Sequence, residues 1–389
     1  MKAVYFDYNA TTPVDPSVLE QMLPWFTEHF GNASSKSHAY GWEAEFAVKQ
    51  ARKQLGELLN CSPEQLTFCS GATEAINLAI RGLAASWQHK KRHIITWKTE
   101  HRAVLDTLQQ LEKNGFEITY LEVDANGQAN IQQLRDNVND KSLLVCGMLA
   151  NNETGVIFPI RELATVAHAA GAYFLCDITQ APGKIPIDVN ALGADLIVGS
   201  AHKFYGPKGV GFLYLSSGRG APKLQAQLTG GGHENGLRSG TLNVPGIVGL
   251  GAAARLAKKN ETKWFEQLRQ HQRDFEKLLL DHIPEARIMG ADTTRLPNTT
   301  NLFIAHCPAA SLIKQLRGYA LATGSACSSA LASPSHVLTA YGLSDQEAAC
   351  CLRISTGIHT TWEELETFAH VLSSVVAKER EQQPSWKYR

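Results

Sequence analysis

Between residues 66 and 215 the chain alternates short β-branched or aromatic runs with longer stretches of helical periodicity, and this alternation restricts the fold more than any other feature. Candidate strands fall at 66–69, 93–97, 117–123, 143–148, 173–177, 195–199 and 210–215, with helical patterns at 73–83, 101–113, 131–138 and 160–170 between them. Strands separated by helices of this length predict right-handed crossovers and a mostly parallel, seven-stranded sheet with helices on both faces, an α/β fold.

After about residue 245 the pattern changes. Two consecutive helices are expected over 246–257 and 264–283, the second with Trp264, Leu268, Phe275, Leu278, Leu279 and Ile283 on one face. A strand at 301–305, a helix at 309–317 and a last helix opened by the capping box Thr361-x-x-Glu364 complete a smaller α+β unit. At 389 residues the chain exceeds the ~250–300 residues at which one hydrophobic core stops growing, so two domains are expected. The expected division is a large domain over 16–262 and a small one formed by 1–15 and 263–389.

Thirty-seven basic residues balance thirty-seven acidic ones. No long-range field therefore favours a phosphate backbone or an anionic bilayer, and the expectation is a small substrate, with no direct nucleic-acid partner and no membrane. Asp7 interrupts the N-terminal stretch where a signal peptide needs an apolar run, and no later run approaches ~18 apolar residues, so a cytoplasmic enzyme is expected. The eight cysteines form no C-x-x-C pair and no zinc-type spacing, so free thiols and no metal site are expected. The vicinal pair Cys350-Cys351 reads as packing, since it lies in a helix-to-strand stretch without ligand spacing.

Three strand ends carry chemistry. Ser70-Gly71-Ala72-Thr73-Glu74 follows an apolar strand and opens a helix, so the backbone N–H groups of Ala72 and Thr73 form an anion cup, although the same residues also serve as ordinary capping. Asp177 leaves a buried strand at its C-terminal end, where open α/β sheets bind ligands, or else caps the next turn. Ser200-Ala201-His202-Lys203 leaves the next strand and delivers a lysine into the same crevice. An anion cup, a strand-end acid and a strand-end amine together suit pyridoxal 5'-phosphate, whose phosphate, pyridine nitrogen and aldehyde need those three partners in turn.

At these residues the sequence resembles the fold-type I, class V aminotransferase-like enzymes, and among them the cysteine desulfurases of the iron-sulfur assembly type. Nearly the whole chain takes part, through landmarks that include Asp7-Tyr8-Asn9-Ala10-Thr11-Thr12, Gly31-Asn32-Ala33-Ser34, Glu100-His101, Asn151-Asn152-Glu153, Asp177-x-x-Gln180, Ser200-x-His202-Lys203, Arg238-Ser239-Gly240-Thr241 and Gly324-Ser325-Ala326-Cys327. The resemblance implies that Lys203 links to the cofactor, Asp177 pairs with its ring nitrogen, and His101 stacks on the ring. It also implies that Gln180 and Asn152 face the phenolic oxygen. By the same resemblance Ala72, Thr73, Ser200 and His202 would hold the phosphate, joined by Thr241 of the partner subunit in a homodimer. The resemblance further implies that Arg353, and less directly Asn32, would bind the substrate carboxylate.

Ala322 to Ala330 is made almost wholly of small residues and reads as a loop exposed enough for Cys327 to react as a thiolate. In the resembled family such a cysteine takes sulfur from L-cysteine as a persulfide, releases L-alanine and passes the sulfur to acceptors such as an iron-sulfur scaffold protein. An aminotransferase or a selenocysteine lyase on the same scaffold is the competing enzyme reading, and a catalytically silent scaffold in a sulfur-transfer complex the competing non-enzyme one.

Overall fold

A computed structural model describes residues 3–323 and 334–382. The strands in chain order are β1 (Val4–Tyr5), β2 (Leu66–Cys69), β3 (His93–Trp97), β4 (Glu117–Leu121), β5 (Ser142–Met148), β6 (Tyr173–Asp177), β7 (Leu196–Ser200), β8 (Gly211–Leu215), β9 (Ala286–Ile288), β10 (Thr299–Ile304), β11 (Tyr319–Ala320) and β12 (Cys351–Ser355). The expected seven-stranded sheet is present, in the order β2-β8-β7-β6-β5-β3-β4. Only β8 runs antiparallel to its neighbours in that sheet; the β4-β3-β5-β6-β7 pairings are all parallel.

Strand periodicity of two explains the layering. Phe174 and Cys176 of β6 and Ile197 of β7 face one side, where they pack with Trp97, Phe158 and Leu250. Leu175, Leu196 and Val198 face the other, against Ile76, Ile80 and Leu83 of the helix Ala72–Trp87 and Leu108 of the helix Arg102–Lys113. With both faces covered, the strands are near-continuous apolar runs, and functional residues are confined to strand ends.

Where two helices were expected after residue 245 there is one, Val244–His282, 39 residues long. Its N-terminal half packs into the large core through Ile247, Leu250 and Ala254, and its C-terminal half packs into a separate core through Phe275 and Leu279. The charged stretch Lys258-Lys259-Asn260-Glu261-Thr262-Lys263 resembles a break in the apolar pattern, but it holds no proline or glycine, and the backbone ladder runs through it while the buried face changes cores.

The second core is built on the antiparallel order β12-β10-β9 and the helices Ala309–Gln315 and Trp362–Glu381. Thr361 caps the last helix in a capping box with Glu364, as expected. The N-terminal strand β1 pairs with β11, and the chain then crosses by way of Asp7, bridged to Ser355, to Thr12, whose N–H donates to His202 O at 2.8 Å. That crossing lays residues 7–12 along the C-terminal ends of β6 and β7. Among the described residues no helix is long and apolar enough to cross a membrane, and no group of three His, Cys, Asp or Glu side chains is placed to hold a metal.

Candidate active site

A cavity of about 620 Å³ opens at the C-terminal ends of β2, β5, β6 and β7. The helix Ala72–Trp87 starts at its wall after a glycine with no side-chain cap. The first N–H groups of a helix have no intrahelical acceptor, so Ala72 and Thr73 present donors and the positive end of the helix dipole to the cavity. Close packing sets the position of this turn: a Cβ on Gly211 would lie 2.7 Å from the Gly71 backbone and 2.6 Å from Gly199 O. Ser200 and His202 line the same end. His202 Nδ1 lies 3.1 Å from Thr11 Oγ1, and burial beside Lys203, Lys208 and Lys184 lowers its pKa to about 4, so the ring is neutral at pH 7.

Lys203 emerges from the short turn after β7. Its Nζ donates to Asn9 O at 2.6 Å and to Ala10 O at 2.8 Å. Asp177, 8% exposed at the end of β6, accepts from Thr179 N–H at 2.8 Å. His101 caps the helix Arg102–Lys113, its Nδ1 accepting from Ala103 N–H at 3.1 Å. That bond places the proton of the neutral ring on Nε2.

Arg353 sits in the middle of β12, 1% exposed, and its guanidinium reaches Asp7 Oδ1 at 2.6 Å and Asn152 O at 3.1 Å. Asn9 completes the floor. Its side chain donates to Thr299 Oγ1 and Asn152 O and accepts from Asn298, while its carbonyl receives Gln180 Nε2 at 3.0 Å.

Ten of the residues singled out from the sequence therefore line one cavity: Ala72, Thr73, His101, Asn152, Asp177, Gln180, Ser200, His202, Lys203 and Arg353. Asn32 and Thr241 are exposed and do not line it. Cys327 lies outside the described residues. The seven described cysteines are free; burial raises the thiol of Cys351 to about 12 and that of Cys350 upward, which suits packing rather than reactivity.

Residue-type reasoning assigned no role to Asp7, Asn9, Glu100, Glu153, Lys184 or His336. Asn9, Glu153 and His336 line the cavity, and Asp7 and Lys184 hold residues that do. Glu100 is fully buried behind Asp177, and burial, reinforced by Asp177, raises its carboxyl well above the usual range. Glu153 is buried likewise and accepts from Ser335 Oγ. The signal available was the landmark segments themselves, which contain Asp7, Asn9, Glu100 and Glu153, and the mixed polar composition of those segments beside apolar strands.

A family model described as aminotransferase class-V matches residues 4–368. The chain belongs to the class-V aminotransferase family. Within the family it is 44% identical to a cysteine desulfurase IscS of Anaeromyxobacter sp. (strain Fw109-5), over 99% of this chain and 95% of that one. Among solved structures, a NifS-like protein superposes with a TM-score of 0.89 at 34% identity, covering 97% of this chain and all of that one. A structure described as SspA in complex with cysteine superposes with a TM-score of 0.82 at 37% identity, covering 92% and 100%. The family's fold-type I architecture is the one seen here, a mostly parallel sheet with the site at its strand ends.

Proposed function

We propose that this protein is a cytoplasmic, pyridoxal 5'-phosphate-dependent cysteine desulfurase that converts L-cysteine to L-alanine and carries the sulfur on Cys327 to acceptor proteins for iron-sulfur cluster or thio-cofactor and tRNA biosynthesis. The observation that carries the reading is the convergence on one cavity of a free helix N-terminus, a buried carboxylate, an amine at a strand end and a buried guanidinium. Its likeness to a protein solved with cysteine supports the substrate.

The donor set fits the cofactor. Ala72 and Thr73 N–H groups, Ser200 and His202 would hold the phosphate, Asp177 the ring nitrogen, Gln180 and Asn152 the phenolic oxygen side, and Lys203 the aldehyde carbon, with His101 over the ring. When bound, the cofactor acts as an electron sink that acidifies the substrate Cα and makes its Cβ–Sγ bond cleavable. Asp177 supplies the counter-charge that keeps a ring nitrogen protonated. Arg353 binds the substrate carboxylate and orients the Cα–H toward Lys203, whose Nζ takes the proton and returns it. His101, with its proton on Nε2 and Nδ1 engaged by Ala103 N–H, moves the substrate thiol proton. Cys327 thiolate attacks the substrate sulfur: an S–S bond forms, the C–S bond breaks, and its electron pair stays with the carbon that is then protonated. In sum, L-cysteine and a cysteine thiol give L-alanine and a cysteine persulfide, with no external oxidant.

We further propose a homodimer. Phe26, Phe30, Tyr40, Trp42 and Phe46, all more than half exposed, fall between residues 26 and 46, and exposed large apolar side chains gathered in this way mark a candidate contact surface. Thr241, exposed and away from its own chain's cavity, is free to reach a partner's phosphate site.

Replacing Cys327 with alanine tests the function. The C327A protein is expected to retain the cofactor and its spectral response to L-cysteine while losing persulfide formation and L-alanine production. Undiminished sulfur release by that variant would overturn the assignment of Cys327.

A further inference from the structure

A buried lysine beside the cavity has no part in the chemistry above. Lys184, 6% exposed, lies four residues beyond Gln180 in a pair of consecutive turns, Ala181 N–H to Ile178 O and Lys184 N–H to Ala181 O. Its Nζ donates to Gln180 Oε1 at 2.9 Å. The other end of the same amide, Nε2, donates to Asn9 O at 3.0 Å, and Asn9 O is also the acceptor for Lys203 Nζ at 2.6 Å.

These contacts settle which way the Gln180 amide points. A carbonyl only accepts and a lysine amine is foremost a donor, so Asn9 O takes the NH2 end and Lys184 takes the oxygen. A flipped amide would set oxygen against oxygen at Asn9. Asn9 is itself held through Thr299, Asn298 and Asn152, so the NH2 group has one N–H spent on a rigid carbonyl and one N–H remaining. Gln180 lines the cavity, so the remaining N–H is the group it can offer there.

Building on the cofactor reading above, we propose that Lys184 is a positioning residue: it pins Gln180 Oε1 so that Gln180 presents a donor, never an acceptor, to the anionic phenolic oxygen of the cofactor. A side-chain amide held at one end only can rotate about its last torsion, and a donor out of place by a fraction of an ångström loses most of its value. Holding both ends removes that freedom. Burial, with Lys203 and Arg353 nearby, holds the Lys184 pKa well below the ordinary lysine range, and the amine in either protonation state has N–H groups to donate to Gln180 Oε1.

The test is a double-mutant cycle on the reconstituted holoenzyme, with K184M, Q180A and the double variant, reading the visible absorption band of the bound cofactor and kcat/KM. K184M is expected to displace the band in the same direction as Q180A and to lower kcat/KM by about five- to tenfold, the scale of one neutral hydrogen bond. In the Q180A background K184M is expected to add nothing to either readout. Additive effects, or a parental band in K184M, would overturn the proposal. If K184M does not fold, K184Q, which keeps an N–H donor, decides the matter: a parental band supports the proposal and a Q180A-like band refutes it. A parent chain that binds no cofactor would instead remove the functional reading itself, and this inference with it.

Discussion

Arg353→Lys is the sharpest test of how the site reads its substrate. Arg353 is 1% exposed and already bound at one edge by Asp7 at 2.6 Å and at another by the Asn152 carbonyl at 3.1 Å. A guanidinium has five N–H donors in a planar fork and can keep those contacts while also engaging a carboxylate. An ammonium keeps the charge next to Asp7, so the fold is retained, but it cannot span Asp7, Asn152 and a substrate together.

The loss is one charge-assisted hydrogen bond to the substrate, about 1.5–3 kcal/mol, or roughly 10- to 150-fold in kcat/KM for L-cysteine at 1.36 kcal/mol per factor of ten. Absorbance titration of the holoenzyme with L-cysteine and with cysteamine, which lacks the carboxylate, separates this effect from general damage. The variant is expected to bind cysteamine as the parent does and to lose most of the preference for L-cysteine. An unchanged ratio of the two affinities, with thermal stability intact, would refute the placement of the carboxylate on Arg353.

Two further outcomes follow from the packing and the electrostatics of the cavity. In the cofactor-free protein His202 titrates near 4 when folded and near its ordinary value when unfolded, so its contribution is fully present above about pH 6.5 and is lost as pH falls toward 4. The full linkage over that interval is roughly 3 kcal/mol, and with solvent screening of the half-buried ring about 2 kcal/mol is expected. The difference between unfolding free energies from urea titrations at pH 7 and pH 4.5 should shrink by that amount in H202Q, and an identical difference in parent and variant would refute it. Gly211→Ala places a Cβ against the Gly71 and Gly199 backbones, which cannot yield as a side chain can. A loss of about 1–3 kcal/mol with weakened cofactor affinity is expected from melting and equilibrium dialysis, and an unaltered melting temperature would contradict the close approach.

The legible parts of the fold were those encoded by local period. Strands β2 to β8 were readable because burial on both faces makes each an apolar run ended by small or polar residues. The same property exposed Asp177, Ser200 and Lys203, since a residue that follows such a run must leave the sheet at its C-terminal end. The continuity of Val244–His282 was not legible, because a polar stretch between two apolar faces looks alike whether the helix breaks or passes from one core to another. His101 could be read only through resemblance: by itself a histidine at a helix start is a cap, and in this structure it is a cap as well as a cavity residue.

The amino-acid sequence by itself determined the parallel sheet, the helix terminus at Ala72, the strand-end acid and amine, and the small-residue setting of Cys327, because each depends on residues within a few positions of one another. The pairing of Asp7 with Arg353, the Asn9 carbonyl shared by Gln180 and Lys203, and the grip of Lys184 on Gln180 belong to the tertiary structure. Asp7 and Arg353 are 346 residues apart, and only the pairing of β1 with β11 and the bridge from Asp7 to Ser355 carry the N-terminal segment across the strand ends. Such contacts depend on register and packing summed over two cores, which no local window of sequence contains.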